Sequence, residues 1–74
     1  MDKTIELEIK ILKFLKLKGT MEIVDIAYEL EMPFETVKEA VHGMNATGEV
    51  VKVGYDTYQD HYKITDLGLD MIND

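Results

Sequence analysis

The sequence predicts an α+β domain: three helices in succession, then a β-hairpin, then a short closing helix. Three observations carry that expectation. Apolar residues recur at helical spacing in three segments up to about residue 45. Over residues 49–64 the period changes to that of strands, with the β-branched Val50, Val51 and Val53 followed later by the alternating Tyr62 and Ile64. Gly19, Pro33 and Gly48 stand at the breaks between these segments.

The first helix runs from about Thr4, its expected N-cap, to Lys18. Lys16 and Lys18 suit the negative end of the helix dipole, and Gly19 suits the residue beyond it. Its apolar residues make two stripes: Leu7, Ile11, Phe14 and Leu15 form one, and Ile5, Ile9 and Leu12 form its neighbour. An ordinary surface helix carries a single stripe little more than roughly 100° wide. One stripe is expected to face the core and the other to seek a second partner. Hence a homodimer is expected through Ile5, Ile9 and Leu12, joined by Leu69 or Ile72 of the last helix.

Met21 leaves space for a very short strand before the second helix, near Ile23 to Leu30. That helix has an apolar face drawn from Ile23, Val24, Ile26, Ala27 and Leu30. Pro33 pushes the residue before it out of helical geometry and suits the first turn of the next helix. The third helix runs from Pro33 or Phe34 to about Asn45. Val37, Ala40, Val41 and Met44 lie at i, i+3, i+4 and i+7, a face to be buried against Leu15, Ile26 and Leu30. After the hairpin, whose loop is Asp56 to Asp60, Thr65 caps a last helix with Leu67, Met71 and Ile72 toward the core.

Seventy-four residues and 8.5 kDa make one domain, residues 1–74, too small for a large cleft between domains. Cysteine is absent, which excludes thiolate zinc sites, disulfides and thiol catalysis. Serine is absent too, so no Ser-His-Asp triad can form, and no glycine-rich phosphate loop is present. The chain is therefore expected to be neither an enzyme nor the holder of a cofactor. His42 and His61 fall in different elements, and Asp56, Asp60 and His61 lack the glycine and terminal glutamate of a calcium loop. No metal site is expected. Apolar runs fall short of a membrane span, and the first residues do not read as a signal peptide. A cytoplasmic protein with no membrane partner is expected.

Charge is unevenly distributed. All eight basic residues are lysine, and the net charge is −7. Residues 1–18 hold five lysines against three acids, net +2; residues 19–74 hold three lysines against twelve acids, net −9. An acidic surface repels phosphate and forgoes the counterion release that drives ordinary DNA binding. The lysines of the first helix read most simply as a solvated face whose stems cover apolar surface.

The segment from Met21 to Ile72 resembles the prokaryotic winged helix-turn-helix domains of small MarR-like and ArsR-like regulators. The residues that carry the likeness are Ile26-Ala27 and Leu30, Met32-Pro33 at the turn, Val37, Ala40-Val41 and Met44, Gly48 with Val50, and the passage Tyr62-Lys63-Ile64-Thr65-Asp66-Leu67-Gly68-Leu69. The resemblance implies a third helix that enters the major groove and a hairpin wing that touches the neighbouring backbone. On that implication the contact residues are Glu35, Thr36, Lys38, Glu39, His42 and Asn45, with Tyr58 at the wing tip. One reading is a small DNA-binding transcription regulator acting as a homodimer on double-stranded DNA. The other is an acidic winged-helix module that binds a protein, including mimicry of DNA toward a nucleic-acid-binding partner. The second rests on charge: one lysine faces two glutamates on the third helix, and the wing tip carries Asp56 and Asp60 without a base.

Overall fold

The computed structural model describes residues 3–54 and 61–73. The expected hairpin loop, Tyr58 included, lies outside the described residues. The elements are α1 (Lys3–Lys18), β1 (Met21–Glu22), α2 (Ile23–Leu30), α3 (Phe34–Thr47), β2 (Val50–Val53), β3 (His61–Ile64) and α4 (Asp66–Ile72). This is the α+β winged helix-turn-helix order. β1 fills the place left at Met21 and turns the hairpin into a three-stranded antiparallel sheet of order β1-β3-β2. Met21 pairs with Tyr62 and Glu22 with His61 on one side of β3; Val50 pairs with Ile64, and Lys52 with Tyr62, on the other.

The ends of the elements follow local chemistry. Gly19 takes φ +92° after α1, and its amide donates to the Leu15 carbonyl at 2.8 Å. Gly48 takes φ +97° and closes α3 by donating to Met44 at 2.9 Å, so the helix runs one turn-half past the expected Asn45. Between α2 and α3 the left-handed residue is Glu31, at φ 54° and ψ 45°, where glycine would be easier. Thr65 caps α4 as expected: its hydroxyl oxygen accepts from the Gly68 amide at 3.2 Å. Thr4 is not the cap of α1, which already includes Lys3.

The core is built by α1, α2, α3 and the sheet. Ile11, Leu12, Leu15, Ile26, Val37, Val41 and Met44 are wholly buried, with Val50 and Tyr62 closing it from the sheet. All four expected α3 positions, Val37, Ala40, Val41 and Met44, are buried. On α2 the buried set is Ile23, Ile26 and Ala27; Val24, about 100° around the helix from Ile23, is exposed rather than part of the apolar face.

Two expectations about surfaces fail. Leu12 is not at a dimer contact: it is 0% exposed within the chain's own core. The reason is α4, which packs on α1. Lys16, one turn beyond Leu12 on the same flank, donates from Nζ to Asn73 Oδ1 at 3.1 Å, just past the end of α4. The second apolar stripe of α1 therefore has an intramolecular partner. Ile72 packs against the core and Leu69 is half-buried, Ile9 is half-buried, and only Ile5 of the expected set is exposed. On α4 itself, Leu67 and Met71 are exposed, and Gly68 is the buried residue. The helix is seven residues long and turned so that its glycine meets the α3–β2 turn.

Gly68 permits that approach. A Cβ there would collide with the Glu49 carbonyl and stand 2.7 Å from Ile64 Cγ1. Gly68→Ala is expected to cost about 2–3 kcal/mol, as overpacking against backbone does, read from the urea midpoint. Val37→Ala should cost about 1–3 kcal/mol through its cavity. In a domain whose total is roughly 3–5 kcal/mol, either change should leave a large unfolded fraction in circular dichroism at physiological temperature.

Candidate recognition surface

The core residues of α3 occupy one side of the helix, so the opposite side is free of the fold. Glu35, Glu39 and His42, at i, i+4 and i+7, run along the middle of the free side and are exposed. Thr36 and Asn45 are exposed on its rims, and Lys38 is half-buried. The structure thus brings six of the seven expected contact residues to one helix face; Tyr58 lies outside the described residues. Gly43 is also on the exposed side, with open space where a Cβ would stand, and nothing in the fold explains it.

The electrostatics of the face are mixed. The Lys38 ammonium is 3.9 Å from the Glu35 carboxylate, an i, i+3 pair in which Glu35 is well exposed and the Lys38 side chain is partly so. Such exposed pairs are weak, about 0.2–1 kcal/mol, so a partner's anion can draw Lys38 away. Below it, the His42 ring meets the Tyr62 ring at a centroid distance of 6.5 Å and an interplanar angle of 48°, within the range of favourable aromatic pairs. Tyr62 is only 3% exposed. It therefore acts as a prop: it sets where the His42 ring stands at the junction of α3 and the sheet.

The sheet adds cations that the sequence did not mark out. Lys52 is the cross-strand partner of Tyr62, so the two side chains share one face of the sheet. Lys52 is exposed, as is Lys63 on the other face of β3. All three lysines of residues 19–74 consequently lie on α3, β2 or β3, the elements that surround the His42–Tyr62 pair. Only strand register could reveal this for Lys52, because cross-strand neighbours are distant in sequence. At the start of β3 the His61 Nε2 is 3.6 Å from Glu22 Oε1, a pair that joins β1 to β3. Among the described residues no three histidine, aspartate or glutamate side chains gather as a metal site, and no helix is long and apolar enough to cross a membrane.

Comparison with solved structures places this geometry. The Zα domain of zebrafish PKZ superposes with a TM-score of 0.82 at 23% identity, over 88% of this chain and 100% of that one. The Zα domain of Carassius auratus PKZ, solved in complex with Z-DNA, gives 0.79 at 19% identity, over 86% of this chain and 100% of that one. A MarR-family transcriptional regulator from Silicibacter pomeroyi gives 0.81 at 19% identity; 90% of this chain is covered, but only 46% of the regulator. No family model matches the sequence, and no curated protein matches it. The likeness is one of fold, and it runs to Zα domains as well as to MarR-family regulators, a wider set than the prokaryotic regulators that the sequence resembles.

Proposed function

We propose that the chain is a double-stranded-DNA-binding winged-helix module, a small transcription regulator that contacts the duplex through the exposed side of α3 and the adjoining strands. The observation that carries this reading is the placement of Lys38 and Lys52 beside the His42–Tyr62 pair. In an otherwise acidic stretch, Lys38 lies one turn from His42 on α3 and Lys52 shares the sheet face of Tyr62, while Lys63 lies on the opposite face of β3. Lysine ammonium groups there supply phosphate contacts, which fix register on a duplex. His42, propped by Tyr62, and Asn45 supply hydrogen-bonding groups toward base edges, and asparagine can read adenine. Tyr58 at the hairpin tip is proposed as a further contact. The two Zα domains and the MarR-family regulator, proteins of the same fold, lend support: one is solved on Z-DNA and one is a transcriptional regulator.

A second reading draws on a specific observation: Glu35 and Glu39 hold the middle of the face, where DNA would place phosphate or base acceptors. In that reading the face binds a basic protein surface, and Glu35, Glu39 and Tyr58 carry the contact.

Titration of the natural chain against a labelled mixed-sequence duplex at low salt separates the two, because electrostatic contacts are then least screened. A parallel arm uses an alternating CG duplex held in the left-handed form. Non-specific duplex binding is expected, reaching about 10⁻⁴–10⁻⁶ M at physiological salt, with a salt slope of about −1.8 if Lys38 and Lys52 each meet one phosphate. Lys38→Ala should weaken binding and flatten that slope by about one unit. Glu35→Gln with Glu39→Gln should raise duplex affinity and, if the protein-binding reading holds, weaken capture of a basic partner. Absence of binding to both duplexes at low salt ends the DNA reading.

A further inference from the structure

Gly43 lies inside α3, one turn before its end, and is exposed. Among the described glycines only Gly19, Gly48 and Gly54 take positive φ, so Gly43 keeps the backbone of the helix around it. A Cβ there would meet nothing within 4 Å. Gly68 is the contrast, since its Cβ would collide with the Glu49 carbonyl. Neither backbone conformation nor packing within the chain therefore asks for glycine at position 43. Yet glycine in a helix interior lowers the folding constant about two- to fivefold relative to alanine. In a domain this small the fold by itself would favour almost any other residue there. A position that works against local propensity without a structural return is the mark of a contact made outside the fold. Glu39, one turn earlier, and His42, next in the chain, are exposed residues of the surface described above, so Gly43 belongs to that surface. Its carbonyl already accepts from the Thr47 hydroxyl at 3.0 Å. What the position offers a ligand is thus shape rather than a hydrogen bond.

We propose that Gly43 is the point at which α3 comes closest to the duplex, and that DNA fills the space its missing side chain leaves. The proposal rests on the DNA reading of this face and names the residue that sets how deeply the helix seats. Glycine is the residue that lets backbone approach a ligand directly. The contact is van der Waals, the Gly43 Cα against a sugar or base edge, and it carries no charge. Depth matters because the polar contacts available to this face are few. Hydrogen bonds from His42, Asn45 and Lys38 act only at about 2.7–3.2 Å. A helix held off by the width of a methyl group breaks them together, although none of those residues has changed.

Two variants of the full chain, Gly43→Ala and Gly43→Leu, test this with two measurements. Both put a better helix former at an exposed position. In thermal unfolding followed by far-UV circular dichroism, Gly43→Ala should raise the midpoint by about 2–8 °C. In titration at low salt against the mixed-sequence duplex and the left-handed CG duplex, the same variant should raise the dissociation constant by at least about tenfold, the loss of about one good base contact. Gly43→Leu should raise it further. Higher stability together with weaker binding is the expected result, and a glycine that served only the fold would not give it. A Gly43→Ala variant that binds as tightly as the natural chain overturns the proposal and leaves the DNA reading standing. So does a Gly43→Leu variant that binds better than Gly43→Ala. A Gly43→Ala variant that melts no higher than the natural chain overturns it too, because the fold then has its own use for the glycine. A natural chain that binds neither duplex ends the DNA reading and this proposal with it.

Discussion

Four elements meet at one small joint, and the rest of the architecture hangs from it. Gly48 ends α3 in the left-handed region, and its carbonyl accepts from the Thr65 hydroxyl at 2.6 Å. The next carbonyl, that of Glu49, accepts from the Thr65 amide at 3.0 Å. The same hydroxyl oxygen accepts from Gly68 and so starts α4, while Gly68 lies against the Glu49 backbone with no room for a side chain. One threonine thus serves the end of α3, the approach to β2, the end of β3 and the first turn of α4. A domain this small has few buried contacts to fix the angle between its reading helix and its hairpin. Hydrogen bonds between backbone and a single hydroxyl supply that angle at low cost in buried polar groups.

With the joint fixed, the two sides of α3 divide their work. Val37, Ala40, Val41 and Met44 are committed to the core, which leaves the opposite side of the helix outside it. The free side can then carry Glu35, Glu39 and His42, whose support among the described residues is a weak ion pair and one ring contact. That contact links the helix to the sheet, since Tyr62 pairs in register with Met21 on one side and Lys52 on the other. Two of the three lysines that follow α1, Lys38 and Lys52, stand beside it. The net charge of −7 describes the whole protein poorly: the acids are spread widely, while five of the eight lysines lie in residues 1–18 and Lys38 and Lys52 stand near the His42–Tyr62 pair. Local potential at a surface, rather than the sum, governs what approaches it.

The first helix faces three ways. Ile11, Leu12 and Leu15 enter the core, α4 covers the flank of Ile9 and Lys16, and the flank of Leu7 opens on the groove beside Met32. The excess of apolar residues on α1 was visible in its two stripes. Its explanation was not, because a seven-residue helix 50 residues later in the chain is the partner of one stripe, and nothing local announces that pairing.

What the sequence determined by itself was whatever depends on neighbours within about one turn or one strand. The helical periods of α2 and α3, the breaks at Gly19, Pro33 and Gly48, the Thr65 cap and the change of period at Val50 are all local, and each stands where the residues placed it. The α3 register followed for the same reason: four apolar residues at i, i+3, i+4 and i+7 leave one direction for the remainder, so the exposed set from Glu35 to Asn45 was readable. Tertiary structure decided everything that joins distant segments. It gave Leu12 to the core, turned α4 so that Gly68 rather than Leu67 or Met71 faces inward, added β1 to the hairpin, and set Lys52 and His42 about the ring of Tyr62. These placements depend on which surfaces meet after collapse, and on the absence of a Cβ at Gly68, which lets a helix rest directly on backbone. Periodicity reports that a face is apolar; only packing reports what covers it.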